Sequence, residues 1–201
     1  MVIFGKDALR MGQMKKTSRK GFTVAELLIV VAVIAVLVSI AIPIYRGKLE
    51  RAREAYDIYT MRQAASAAID LYYMGIHDKA SAEAAGLKWN SASINEANAS
   101  GVYQPGTGRF LAITSKQGTP YGKGTKVNGK TEYTMGNTNG AYVATEDYTQ
   151  AVILVSIYPL GDNRHVDVYW KNAKGKNAGN YVGNKGANNN DPKYSIRIPL
   201  N

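Results

Sequence analysis

The chain has 201 residues, 45% of them hydrophobic, a formal net charge of +10 and no cysteine. That length holds one small domain with its own core beside an extended element, and the composition excludes a disulfide framework, a thiolate metal site and a cysteine nucleophile. The charge is uneven: residues 1–21 carry six basic and one acidic side chain, hence +5, and the remaining residues carry the other +5.

Lys15, Lys16, Arg19 and Lys20 crowd ahead of Gly21. From Leu27 to Tyr45, nineteen residues carry no formal charge, close to the roughly 20 that cross a bilayer core as a helix. The basic residues place the N-terminal side of this span in the cytoplasm. An ordinary secretory signal does not fit, because its apolar region of ~7–15 residues ends at a small-x-small cleavage site. Here the small residue, Gly21, precedes the apolar run. Glu26 sits just inside the membrane end, where a carboxylate is expensive and usually has a task.

With Lys20-Gly21-Phe22-Thr23-Val24-Ala25-Glu26 and the apolar run after it, the chain resembles the type IV pilins and their pseudopilin relatives. Their precursors carry a basic leader ending in glycine, then an apolar first mature residue and a glutamate at the fifth mature position. Gly21 would end the leader, Phe22 would be the first mature residue, Glu26 the fifth and Pro43 the twenty-second, where many pilins also have proline. The match covers residues 15–60, with cut site, glutamate, span and proline in one register. The leader of 21 residues is long for the subclass that Phe22 suggests, so the subclass stays open. The resemblance implies an α+β pilin fold: a long N-terminal helix, transmembrane in its lower half, packed by its upper half on an antiparallel sheet. It divides the chain into a leader over 1–21, a stalk helix over 22–74 (membrane-spanning over 22–45) and a globular head over 75–201. It implies cleavage between Gly21 and Phe22 by prepilin peptidase and N-methylation of Phe22. It also implies storage in the cytoplasmic membrane, extraction by an ATPase-driven assembly platform, and a helical homopolymer on the cell surface used in adhesion, motility, conjugation or DNA uptake. It implies that Phe22, Glu26 and Pro43 would be the assembly residues, and it implies no cofactor or metal. A pseudopilin of a secretion or competence machine, a minor pilin or a DNA-binding adhesin are the alternatives.

Past the span the chain stays helical in character. Ile58, Met61, Ala65, Ala68 and Tyr72 fall at spacings of three and four, one apolar face of an amphipathic helix, and Met74-Gly75 gives a stop. A helix from Thr23 to Tyr73 would run ~75 Å, with a kink or loosening expected at Pro43 and a second soft point at Gly47. The apolar half calls for lipid or other helices, and the one-sided half calls for a sheet. A short helix is expected over Ala80–Ala85, ended by Gly86. Beyond Gly101, candidate strands are Phe110–Thr114, Thr131–Met135, Ala141–Thr145, Ala151–Tyr158, His165–Trp170 and Tyr194–Ile198, in an antiparallel sheet with one buried face. Residues 171–193 read as an exposed loop.

No catalytic constellation, phosphate loop or zinc spacing is evident, so an enzyme is not expected. His77 and His165 read as solvated, and Asp162, Asn163 and Asp167 read as a turn rather than a calcium loop. Lys171, Lys174, Lys176 and Lys185 make the C-terminal region basic, with Tyr169, Trp170 and Tyr181 among them. A nucleic-acid contact there is the lesser reading beside a solvated surface. Asn98-Ala99-Ser100 fits a glycosylation sequon. With no disulfide available, the C-terminal region must be held by other means.

Overall fold

The computed structural model describes residues 21–91, 93, 96–124, 147–175, 178–182 and 195–201. The chain divides into two compact units, residues 1–44 and 45–201. Helix α1 spans Val24–Tyr73 and includes Pro43. Helical structure passes through Pro43 and Gly47 without a break, so the proline is accommodated inside the helix. It begins one residue after the expected Thr23 and ends at the expected Tyr73.

In the first unit, α1 presents apolar side chains on every side. The large ones from Val24 to Ile44 are 45–76% exposed. This is the one described helix long and apolar enough to cross a membrane.

In the second unit, the rest of α1 packs on a six-stranded antiparallel sheet. Helix α2 spans Lys79–Ala84 and the strands are β1 Lys88–Asn90, β2 Asn98–Gln104, β3 Arg109–Leu111, β4 Ala151–Tyr158, β5 His165–Asn172 and β6 Ser195–Pro199. The order is β1-β2-β4-β5-β6, with β3 pairing the later part of β2. Two 3₁₀ turns, η1 Ser115–Gln117 and η2 Tyr148–Gln150, lie between β3 and β4. Asp78 and Ser81 cap α2 reciprocally, and Gly86, at φ 77°, supplies the left-handed residue that ends it.

The core follows from the two periodicities. Met61, Ala64, Ala65, Ala68 and Tyr72 of α1 join Ile153, Val155 and Ile157 of β4 and Val166, Val168 and Trp170 of β5 in one buried cluster. Alanines at 64, 65 and 68 leave room for the helix to lie close to the pleated surface. Ile58, expected on this face, is only half-buried, and Asp57 and Thr60 are buried beside it. Thr60 satisfies itself by donating to the Tyr56 carbonyl at 2.8 Å.

The strands expected at Ala151–Tyr158 and His165–Trp170 are present, the latter longer by two residues. Phe110–Thr114 shortens to β3, and Tyr194–Ile198 becomes β6, one residue later. Thr131–Met135 and Ala141–Thr145 lie outside the described residues. β1 and β2 were not expected. Nor is the stretch after residue 170 simply an exposed loop. Lys171 and Asn172 belong to β5, and residues 178–182 fold back on it. The Val182 N–H donates to the Trp170 carbonyl at 3.0 Å, which brings Val182 into the core.

β6 and its surroundings hold the C-terminal region where no disulfide can. The Arg197 guanidinium forks onto both oxygens of Asp167, each at 2.7 Å. The Leu200 N–H reaches the Arg164 carbonyl at 2.8 Å, with the leucine side chain buried.

Candidate processing and assembly site

Gly21 and Phe22 precede α1 in non-helical backbone, and Phe22 is 93% exposed. A β-carbon on Gly21 would meet nothing within 4 Å. Among the described residues, nothing crowds the peptide between them.

Thr23 and Glu26 start the helix together. The Thr23 N–H and hydroxyl donate to Glu26 Oε2 at 2.8 and 2.9 Å, and the Glu26 N–H donates to Thr23 Oγ1 at 3.2 Å. This is a capping box, in which residues three apart satisfy each other's orphan amides. Thr23-x-x-Glu26 is its sequence signature, a local role for Glu26 beside the assembly role that the resemblance implies. The site therefore has two features: an open peptide at Gly21–Phe22, and a carboxylate one turn inside the helix that already serves the helix start. Removing residues 1–21 would leave a new amine on Phe22, four residues from that carboxylate. Pro43 lies at the other end of the apolar half, within α1. Its missing N–H leaves the Ser39 carbonyl without the usual helical donor, and the Ser39 hydroxyl donates to the Val36 carbonyl at 2.7 Å.

In the second unit the outward faces of β4, β5 and β6 carry polar and aromatic side chains in register. Tyr158 stacks on His165 with centroids 4.4 Å apart. His165 Nδ1 lies 2.7 Å from the Asn163 carbonyl, and Nε2 lies 3.5 Å from Asp167. His165 is buried, which corrects its reading as solvated: the preceding turn and the Tyr158 ring cover it. His77 is exposed, edge-on to Tyr72 at 5.6 Å. Asp167 is engaged by Arg197, and among the described residues no group of three or more His, Cys, Asp or Glu could hold a metal ion.

Of the basic C-terminal side chains, Lys171 and Lys174 are among the described residues, and Lys171 lies beside aromatic rings. Lys171 lies 4.4 Å over the Tyr181 ring, and burial lowers its pKa from the usual lysine value. Tyr169 packs edge-on to Tyr181 and shares a 3.0 Å hydroxyl contact with Ser156. Trp170 points into the core, packed against Tyr121 and Tyr148, so it offers no face to a base. Lys174 is exposed, and Lys176 and Lys185 lie outside the described residues. The sequon residue Asn98 lies within β2. Its side-chain amide donates to the Glu96 carbonyl and its oxygen accepts from Asn90.

A residue that sequence reasoning passed over is Asp57. It stood in a helical stretch of mixed charge, yet it is 4% exposed. Its carboxylate accepts from the backbone of Lys123 and Gly124, 66 and 67 residues away. No local pattern could reveal a partner at that distance.

Residues 16–42 match the Prokaryotic N-terminal methylation motif. No curated protein and no solved structure matches the chain. The motif spans the open peptide, the capping box and most of the exposed apolar helix. With the long N-terminal helix and the antiparallel sheet, it makes the chain similar to type IV pilins and pseudopilins.

Proposed function

We propose that the chain is a prepilin and that its processed form is the main subunit of a type IV pilus. Prepilin peptidase cuts between Gly21 and Phe22 and Phe22 is N-methylated. The subunit then waits in the cytoplasmic membrane, its N-terminus in the cytoplasm, until an assembly platform and its ATPase draw it into a helical homopolymer outside the cell. Residues 1–21 are the leader, 22–74 the stalk and 75–201 the head.

The observation that carries this reading is the continuity of the methylation motif at 16–42 with a helix exposed and apolar on every side from Val24 to Ile44. Such a surface can exchange lipid for neighbouring helices at little hydrophobic difference, because both surroundings are apolar. Exposed Tyr45, Leu49, Tyr56 and Tyr59 add support. At 3.6 residues per turn they fall opposite the face that α1 buries on the sheet, a seam suited to further helices.

Glycine at 21 lets a peptidase approach the backbone closely, and a branched side chain there obstructs it. Gly21→Val should leave full-length precursor in the membrane, while the parent yields a chain beginning at N-methylated Phe22 by intact mass spectrometry. A normal mature mass for Gly21→Val would show that the cut lies elsewhere. The processed chain should dominate sheared surface filaments. A trace amount there would fit a minor pilin or pseudopilin instead.

A further inference from the structure

Residues Tyr121–Gly124 form a strap between α1 and η2. The Tyr121 and Gly122 N–H groups donate to the Ala151 carbonyl at 3.1 and 3.4 Å, and the Tyr148 N–H donates to the Gly124 carbonyl at 3.0 Å. The strap runs so close to η2 that a β-carbon on Gly122 would collide with the Tyr148 carbonyl. On the helix side it is fastened by Asp57. The Lys123 N–H lies 2.9 and 3.2 Å from the two carboxylate oxygens, and the Gly124 N–H lies 2.8 Å from Oδ2. The carboxylate is therefore met by backbone amides. The Lys123 ammonium is turned over the Tyr56 ring, 6.0 Å from its centroid.

A second carboxylate faces the same spot. From the place a Gly124 β-carbon would occupy, Asp57 Oδ2 is 3.1 Å away and Glu50 Oε1 is 3.7 Å away. Glu50 is tied to Arg53 at 3.5 Å. Arg53, Glu54 and Tyr56 are the titratable residues next to Asp57 along α1. Tyr121 and Lys123 act on Asp57 from the strap, and the Tyr148 ring of η2 lies against Gly124.

We propose that Asp57 and the Lys123–Gly124 backbone form a proton-tightened latch, which holds the strap against α1 more firmly in mildly acidic than in neutral surroundings. Burial pushes the Asp57 carboxyl from 3.8 up to about 6, and Glu50 pushes the same way. The two backbone amides and the Lys123 charge oppose this. When the strap opens, Asp57 returns to water and to the ordinary carboxylate range. The closed strap thus binds the proton more tightly, so falling pH favours closure and rising pH through about 6 loosens it. A neutral Asp57 need not release either amide, because Oδ2 has two lone pairs for the two N–H donors while Oδ1 carries the proton. The latch goes beyond the filament reading and does not depend on it, since every group lies in the second unit.

The test is amide hydrogen exchange at Lys123 and Gly124, followed by NMR on the full chain in detergent micelles and corrected for intrinsic rates. The two-state linkage for these values expects protection roughly tenfold higher near pH ~5 than near pH ~7.5. In Asp57→Asn, which carries no titratable group there, the difference should vanish. In Glu50→Gln most of it should remain. The Asp57 carboxyl carbon should titrate with the same midpoint as the protection, a readout available even if Asp57→Asn fails to fold. Protection that is flat with pH, that falls in acid, or that keeps its pH dependence in Asp57→Asn would overturn the latch. So would its disappearance in Glu50→Gln.

Discussion

The two halves of α1 solve opposite problems with the same backbone. From Val24 to Ile44 the helix is apolar all round, and its large side chains stay exposed. Beyond Tyr45 it is mixed in charge, with one face of Met61, Ala64, Ala65, Ala68 and Tyr72 buried on the sheet. The second half is completed by its own chain. Among the described residues the first half is not, and an apolar surface of that kind is suited to lipid or to other helices. The same substitution should therefore have separate consequences in the two halves.

The largest expected effect is in the second half. Met61→Asp sets an unpaired charge among the buried residues of α1, β4 and β5, and should destabilise the head by about 4 kcal/mol. A chain lacking residues 1–44 should then lose its cooperative thermal transition. Val36→Asp in the full chain should leave the melting of the head within about 0.5 kcal/mol of the parent. It should instead oppose membrane insertion by about 3 kcal/mol, visible as processed subunit lost from the membrane fraction. An unchanged midpoint for Met61→Asp, or a head unfolded by Val36→Asp, would break the contrast between the halves.

The contrast was readable in the sequence because each half has a strong period of its own. An uninterrupted apolar run gives the first, and apolar residues three and four apart give the second. The same holds for β4 and β5, where Val166, Val168 and Trp170 alternate with polar neighbours. β2 was not readable, because Asn-Ala-Ser-Gly-Val-Tyr-Gln has the composition of a turn. It is a strand because tertiary packing needs small residues there. A β-carbon on Gly101 would stand 2.8 Å from a Leu87 methyl and 3.1 Å from the Leu111 carbonyl, and Ala99 is fully buried. Asp57 was hidden for another reason. Its surroundings on α1 look solvated, and its partners are main-chain amides, which have no sequence signature. The capping box, by contrast, does have a local signature, Thr23-x-x-Glu26 at the start of the apolar run.

Asp57 sharpens the comparison at intermediate size. It is the charged residue that the completed half of α1 buries, and its effect should follow pH. Its folded pKa of about 6 lies above the unfolded 3.8, so its stabilising contribution is fully present below about 3.8 and is lost as pH rises through about 6. Relative to Asp57→Asn, the parent should therefore gain up to ~3 kcal/mol on going from neutral pH to below that window. The difference between the two denaturant midpoints isolates this from the other carboxylates. Asp57→Ala should be less stable than Asp57→Asn by about 2 kcal/mol, because the Lys123 and Gly124 amides lose their acceptor. A constant parent–Asn difference across that range would remove the pH argument, and equal stability of the Ala and Asn variants would remove the argument from the amides.

The smallest effect on the folded chain should come at the start of the uncovered half, where it separates two roles of Glu26. As a cap, Glu26 satisfies the Thr23 amide within its own helix. As an assembly residue, it would meet the Phe22 amine of a neighbour, a pairing that rewards correct register in a low-dielectric bundle. Glutamine serves the cap as well as glutamate does, so Glu26→Gln should leave helix content, processing and membrane level unchanged. It should nonetheless strongly reduce sheared filaments, because it removes the charge. Thr23→Ala does the reverse. It weakens the helix start by about 1 kcal/mol and leaves the carboxylate, so filament yield should fall far less. If Glu26→Gln assembles like the parent while Thr23→Ala does not, capping is the whole role of this carboxylate. If both fail equally, at equal levels of processed subunit, helix geometry and charge are inseparable at this position, and the register mechanism has no support of its own.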